Sequence, residues 1–333
     1  MVPSNKIVKL DEFSMKDDLS HVQVVEAPVP ELKQGEVLVN AYLRPVNPTD
    51  VILIRTGWGG LVPLPSTPGS EGVGKVVKNG PGASKFKEGQ RVAAAPWPQF
   101  QGRGSWAQYV AVPEKDLILV PESLTDQTAA QIFINPMTVY GMLREQNIPK
   151  GEFLLQTAAT SVLGRQMISL AKHYGVQTIN VVRRKEAVDE LKSIGAEHVI
   201  NSETEDIQKR VKEITGGKMA YGAIDAIGGK MSPKVVASIR KSGTYMLYGA
   251  LDPSSVSASN SDLLANTKVL TGFLIYDWIE KPHKQEVIKE VLSLLEKKIL
   301  EPNSGRSYKF EEVKEAINEC NRAGRGAKVF LEG

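Results

Sequence analysis

The run Leu154-Leu155-Gln156-Thr157-Ala158-Ala159-Thr160-Ser161-Val162-Leu163-Gly164 constrains the fold of this chain more than any other stretch. It reads as an apolar strand, a tight turn of small residues and the start of a helix. Such a turn lets backbone N–H groups approach an anion at a helix N-terminus, whose partial positive charge favours it. Aligned to the Gly-x-Gly-x-x-Gly dinucleotide fingerprint, the key positions are Ala159, Ser161 and Gly164, so only the third glycine, which permits close helix–strand packing, is kept. The motif gains weight from its sequel: a helix over 165–174, Gly175 at its end, and a second apolar strand over 178–182 that runs into Arg183-Arg184-Lys185. An NAD-preferring site carries an acidic residue for the ribose 2′-hydroxyl about 20 residues past the last glycine, and here Arg183 stands there. The pair Arg183 and Arg184 suits a 2′-phosphate held bidentately, which predicts NADPH as the cofactor. A solvated basic helix start is the competing reading.

A chain of 333 residues, 41% hydrophobic and 24% charged, has room for two domains. Its net charge of +3 points to no nucleic-acid partner. One cysteine, Cys320, excludes an intrachain disulfide and a multi-cysteine metal site, and His21, His173, His198 and His283 lack ligand spacing, so no metal is expected. Cys320 itself reads as a buried small hydrophobe in an amphipathic segment. No apolar run is long enough to span a membrane, and residues 1–6 show neither a signal-peptide core nor an Arg-rich presequence. The expectation is a soluble cytoplasmic protein with no membrane partner.

From residue 6 to about 120, short alternating segments (22–25, 36–41, 72–77, 91–94, 107–112) are punctuated by turn signals such as Asn79-Gly80-Pro81-Gly82, the pattern of a β-barrel. Near Leu124-Thr125-Asp126 the rhythm changes to helices (126–133, 137–146) and strands (198–200, 221–226, 244–248, 269–274), as in a doubly wound parallel sheet with its ligand at the carboxyl ends of the strands. Helices over 284–298 and 310–322 precede a last strand, 328–331, expected to rejoin the β-domain. The expected organisation is therefore α/β: a β-barrel domain over 1–125, rejoined by 299–333, and a Rossmann domain over 126–298.

As a whole, the chain resembles the medium-chain dehydrogenase/reductase superfamily, which pairs a GroES-like catalytic barrel with a Rossmann domain. The zinc alcohol dehydrogenases of that superfamily carry a Gly-His-Glu motif and an upstream cysteine; the matching positions here are Ser70-Glu71 and Asn47. The likeness is to the zinc-free branch of quinone, enone and 2-enoyl thioester reductases. Segments Pro45-Val46-Asn47-Pro48-Thr49-Asp50, Asn135-Pro136-Met137-Thr138-Val139-Tyr140 and Ile227-Gly228-Gly229-Lys230 are similar to those of the mitochondrial-type thioester reductases. Where those enzymes place a tyrosine credited with polarising the thioester, this chain reads Gly57-Trp58-Gly59. Indole cannot act as an acid near neutrality, although its N–H can hydrogen-bond a carbonyl and its ring can stack on a flat substrate.

The resemblance implies roles. Asn47 and Trp58 would be catalytic, with Asn47 also at the nicotinamide; Thr138 would hold the nicotinamide or its ribose, and Thr160, Ser161 and Val162 the pyrophosphate. Arg183 and Arg184 would take the 2′-phosphate. Gly228, Gly229, Tyr248, Gly249 and Ala250 would line the passage of ribose and nicotinamide, with Phe273 and Lys328 also touching the cofactor. Local readings compete: Asn47-Pro48 as a turn, Ser161 as a helix cap, Gly228-Gly229 as a strand terminator, Glu71 as a structural acceptor. Trp97 and Trp106 flank a Gly-rich segment that reads either as a mobile lip or as a turn framed by buried aromatics. The expected activity is hydride transfer to a conjugated carbonyl or quinone, with trans-2-enoyl thioester reduction as the alternative. A nucleotide-binding redox sensor or structural protein is the non-enzyme reading. A homodimer paired near 267–274 is implied by family analogy.

Overall fold

The β-rich N-terminal part begins with an antiparallel pair, β1 (Ser4–Leu10) and β2 (Val22–Pro28), in the computed structural model, which describes residues 4–322 and 324–333. The chain then runs through β3 (Glu36–Val46), α1 (Pro48–Gly60), β4 (Val73–Asn79), β5 (Arg91–Ala94), β6 (Tyr109–Pro113), β7 (Leu117–Leu119) and the short α2 (Asp126–Ala129). β3 is buried along almost its whole length, which suits a strand that pairs with both β4 and β6 and sits at the centre of its sheet. Trp97 and Trp106 are fully buried, so the segment between them is a turn framed by core aromatics.

The second unit spans Asn135–Lys284 with Lys297–Leu300. It holds most of α3 (Ile134–Gln146), then β8 (Phe153–Gln156), α4 (Val162–His173), β9 (Gln177–Val182), α5 (Glu186–Ser193), β10 (His198–Asn201), α6 (Ile207–Ile214), β11 (Gly222–Asp225), α7 (Ser232–Ala237), β12 (Thr244–Leu247), β13 (Val269–Gly272) and α8 (Ile275–Ile279). All six strands are parallel, in the order β10-β9-β8-β11-β12-β13. That is a doubly wound sheet whose strand order reverses between β8 and β11, where such sheets place their ligand. Its core gathers Leu155, Ile179, Val181, Ile200, Ala223 and Tyr245 from the strands with Val211, Val235 and Val236 from the helices.

The tail supplies α9 (Lys284–Glu296), β14 (Ser304–Lys309), α10 (Val313–Asn321) and β15 (Lys328–Glu332). β15 pairs antiparallel with β3, Val329 opposite Val46, and parallel with β14, giving a sheet ordered β14-β15-β3-β4-β5-β7. Residues up to Ile134, Gln285–Glu296 and Glu301–Gly333 thus form the first unit. Cys320 is buried in its core beside Val46, Ile317 and Leu331. The elements β1, α1, β7, α8 and β14 are among those additional to the ones read from the sequence. No described helix is long and apolar enough to cross a membrane.

Candidate functional site

In the second unit, β8 delivers the chain into the turn and α4 takes it out. Ser161 is the N-cap of α4, its Oγ accepting from Gly164 N at 3.0 Å, so its capping role is realised and satisfies a helix-end donor. Gly164 has no alternative: a Cβ there would stand 2.6 Å from Ala159 O. Gln156 Nε2 donates to Gly164 O (3.0 Å) and Asn180 Oδ1 (2.7 Å), tying β8, β9 and α4 together beneath the turn. Thr160 is half-buried and Val162 buried at its rim.

At the end of β11 stands Asp225, which sequence reading placed only as a strand residue. It is fully buried and accepts four hydrogen bonds: from Thr157 Oγ1, Ile227 N (2.8 Å), Gly228 N (3.2 Å) and Tyr245 Oη (2.8 Å). It thereby fixes the Gly228-Gly229 loop to the β8 turn. Gly228 and Gly229 both have positive φ, and a Cβ on Gly229 would fall 2.2 Å from the Asp252 carboxylate, so this loop does more than end a strand. Tyr248 presents a buried hydroxyl with no partner among the described residues, and Gly249 leaves no room for a side chain, its Cβ position lying 2.9 Å from Ala226 O. Ser161, Gly228, Tyr248, Gly249 and the exposed Ala250 thus follow the carboxyl ends of three neighbouring strands, β8, β11 and β12.

Arg183 and Arg184 follow β9 and are both exposed. Arg184 leans on Glu190 at 3.5 Å, whereas Arg183 has no ion pair among the described residues. Thr138 is buried on α3. Phe273, just past β13, packs at the same helix: its ring lies 5.8 Å from that of Trp278, and a Cβ on Gly141 would meet it at 2.6 Å. A strand-end cradle with an orphaned hydroxyl, closely fitted glycines and a free guanidinium suits a dinucleotide.

The first unit holds a second cluster, where β3 runs into α1. Pro48 opens that helix, where a missing N–H costs nothing. Asn47, 1% exposed, precedes it, and its N–H donates to Asp50 Oδ2 (2.8 Å) while Asp50 Oδ1 accepts from Ser70 N (2.9 Å). Asn47 Nδ2 donates to Ser70 Oγ (3.2 Å) and Glu71 Oε2 (3.0 Å), and its Oδ1 accepts from Lys328 Nζ. Glu71 Oε1 accepts from Ile134 N. Asn47, Ser70 and Glu71 are therefore bound to one another and to a buried ammonium, whose charge opposes a metal cation at the same oxygens.

Burial pushes the Asp50 carboxyl up to about 6 and the Glu71 carboxyl up to about 7, against the pull of Lys328, and burial lowers the Lys328 ammonium. A carboxyl whose folded value exceeds its unfolded one takes up a proton on folding. The stability it gives is full below the unfolded value and is lost as pH rises through the folded one. Glu71 accordingly contributes on the order of 3 kcal/mol that disappears between its ordinary 4.5 and about 7. Glu71→Gln should flatten this part of the pH dependence of Tm, measured by circular dichroism across that window; parallel wild-type and variant curves would contradict the assignment.

At the other end of α1 the helix breaks. Gly57, Trp58 and Gly59 take left-handed φ values of 57°, 54° and 66°. That is costly for Trp58, which has a Cβ, and such strain concentrates at functional sites. The indole packs edge-on against Phe100 (6.1 Å, 71°), and its Nε1 is buried without a partner among the described residues.

Sheet order, turn and strand-end cluster define a dinucleotide-binding fold joined to a β-rich unit, and comparison with known proteins agrees. Residues 33–122 match the model described as "Alcohol dehydrogenase GroES-like domain", and 162–297 that of "Zinc-binding dehydrogenase". The chain is 31% identical over 287 residues to the human mitochondrial enoyl-[acyl-carrier-protein] reductase, covering 84% of this chain and 75% of that protein. A crystal structure of a Bacillus thuringiensis protein assigned as an NADPH:quinone reductase superposes with a TM-score of 0.91 at 30% identity, over 99% of both chains. Escherichia coli quinone oxidoreductase complexed with NADPH shares the fold (TM-score 0.88, 22% identity, 98% of this chain and 100% of that one). The chain belongs to the medium-chain dehydrogenase/reductase superfamily and is an oxidoreductase.

Proposed function

We propose that this protein is a zinc-independent, NADPH-dependent reductase of conjugated carbonyls or quinones. The observation that carries the reading is Arg183: it follows the second strand of the nucleotide fold, exposed and without a carboxylate partner among the described residues, where an NAD site would place an acid. The NADPH in the Escherichia coli structure supports the same cofactor.

When bound, NADPH supplies the hydride. The chain's own residues bind and orient: the turn Thr160-Ser161-Val162 meets the pyrophosphate, Arg183 and Arg184 the 2′-phosphate, and Gly228, Tyr248, Gly249 and Ala250 the ribose and nicotinamide, with Thr138 and Phe273 completing that end. Asn47 and Trp58 act toward the substrate. Trp58 offers a flat ring and a free N–H, which suits a quinone or enone. Reduction of a 2-enoyl thioester is the second reading, favoured by the enoyl reductases among the relatives. An exposed edge at β13, with Val269, Leu263 and Leu264 open to solvent, supports pairing of two copies there; sedimentation velocity should give twice the monomer mass, and a monomer would refute it.

The test is NADPH consumption, with NADH alongside, against a quinone, an α,β-unsaturated ketone and a 2-enoyl thioester after dialysis against a chelator. The account expects turnover of the quinone or the ketone with NADPH. Turnover of the thioester alone would promote the second reading, and loss of activity with the metal would refute zinc independence.

A further inference from the structure

Arg184 already has an anion beside it. Its Nη2 lies 3.5 Å from Glu190 Oε2, and the other oxygen of that carboxylate, Oε1, accepts from Arg165 Nη2. Arg165 stands near the start of α4, directly after Gly164, and its Nε donates to Thr160 O at 3.1 Å. One carboxylate on α5 thus links the arginine beyond β9 to the turn between β8 and α4, all within the second unit. The two contacts are unequal. The Arg165 side chain is 12% exposed and held at both ends, whereas that of Arg184 is 46% exposed, and its longer contact is the one that a competing anion replaces. With Arg165 holding it, the carboxylate keeps its place when the contact to Arg184 is given up.

We infer that Glu190 weakens NADPH binding by competing with the ribose 2′-phosphate for Arg184. The inference rests on the NADPH reading above. A phosphate monoester carries about two negative charges at neutral pH. To take Arg184 it displaces one ion-pair contact and comes to rest near a carboxylate of its own sign. NADH has no phosphate at that position and bears neither cost. Glu190 therefore holds the preference for NADPH below what Arg183 and Arg184 alone would give, and it is a specificity-determining residue that touches the cofactor's partner rather than the cofactor. Arg165 remains on Thr160 O and on Glu190 throughout, so the pyrophosphate turn keeps its form and the effect is confined to the phosphate end.

Adenosine 2′,5′-bisphosphate and adenosine 5′-monophosphate differ by the 2′-phosphate alone, and titration calorimetry with the two tests this without turnover. Glu190→Gln removes the charge and leaves an oxygen for Arg165. It should tighten the bisphosphate about fivefold, the scale of one exposed ion pair and a screened repulsion, and shift the monophosphate by less than about twofold. In an Arg184→Ala background the same substitution should tighten the bisphosphate by less than about twofold, because the contact it relieves is gone. An unchanged bisphosphate affinity in Glu190→Gln would overturn the inference, and a weakened one would too, making the carboxylate a brace for Arg184. An equal gain with and without Arg184 would also overturn it, leaving only a general effect of charge. Equal affinity of the wild-type protein for the two nucleotides would sink the NADPH reading and the inference with it, whereas a wild-type preference for the bisphosphate that ignores Glu190→Gln would sink the inference alone.

Discussion

Replacing Arg183 by aspartate is expected to reverse the cofactor preference from NADPH to NADH. β9 is the strand next to β8, so its carboxyl end reaches the ribose of a nucleotide seated on the β8 turn. A guanidinium there makes charge-assisted hydrogen bonds to a 2′-phosphate worth about 1.5–3 kcal/mol each, and an aspartate replaces them with repulsion. The expected loss in kcat/KM with NADPH is about 100-fold or more, with a gain for NADH as the carboxylate accepts from the 2′-hydroxyl. Arg184→Ala should cost less, because part of that side chain's engagement is its exposed pair with Glu190, worth little in water. Steady-state kinetics with both cofactors checks this, and an unchanged ratio would return Arg183 to a solvated helix start.

The largest loss of stability is expected from Asp225→Ala. One carboxylate receives two backbone N–H groups, a threonine hydroxyl and a tyrosine hydroxyl in a fully buried position. Removing it strands four donors at about 1–3 kcal/mol for each that finds no new partner, so a net cost of about 3–5 kcal/mol is expected. For a protein of this size that lowers Tm by roughly 10 °C. NADPH affinity should fall as well, because Gly228 and Gly229 lose their anchor. Asp225→Asn, which keeps one acceptor oxygen, should fall between the two. Thermal unfolding of the three proteins measures the order, and a Tm for the alanine variant equal to wild type would show that the loop is held by other contacts.

Asp225 also shows where the sequence stops being legible. The β8 turn, α4 and β9 announce themselves because apolar runs, small residues and Gly164 are consecutive, and the period of each element is local. The partners of Asp225 lie in the turn after β8 and on β12 as well as beside it, and nothing in the neighbouring residues marks a carboxylate as the hub of a loop. Lys328 and Asn47 are 281 positions apart and meet only because β15 pairs with β3. The helix α1 was hidden by its own ends: Asn47-Pro48 reads as a turn, and Gly57, Trp58 and Gly59 break it with left-handed backbone. β14 escaped because Ser304–Lys309 is almost wholly polar and lies at a sheet edge. Glu71 was legible as an acceptor for backbone N–H, which Ile134 supplies, but its bond to the Asn47 amide was not.

The central claim, hydride transfer from NADPH to a conjugated carbonyl, is tested most directly with NADPH deuterated at its transferable hydrogen. One turnover on an α,β-unsaturated ketone should leave deuterium on the β-carbon of the saturated product, seen by mass spectrometry and proton NMR. A product without label, or NADPH bound and left unoxidised in the presence of every ketone, quinone and thioester offered, would contradict the account.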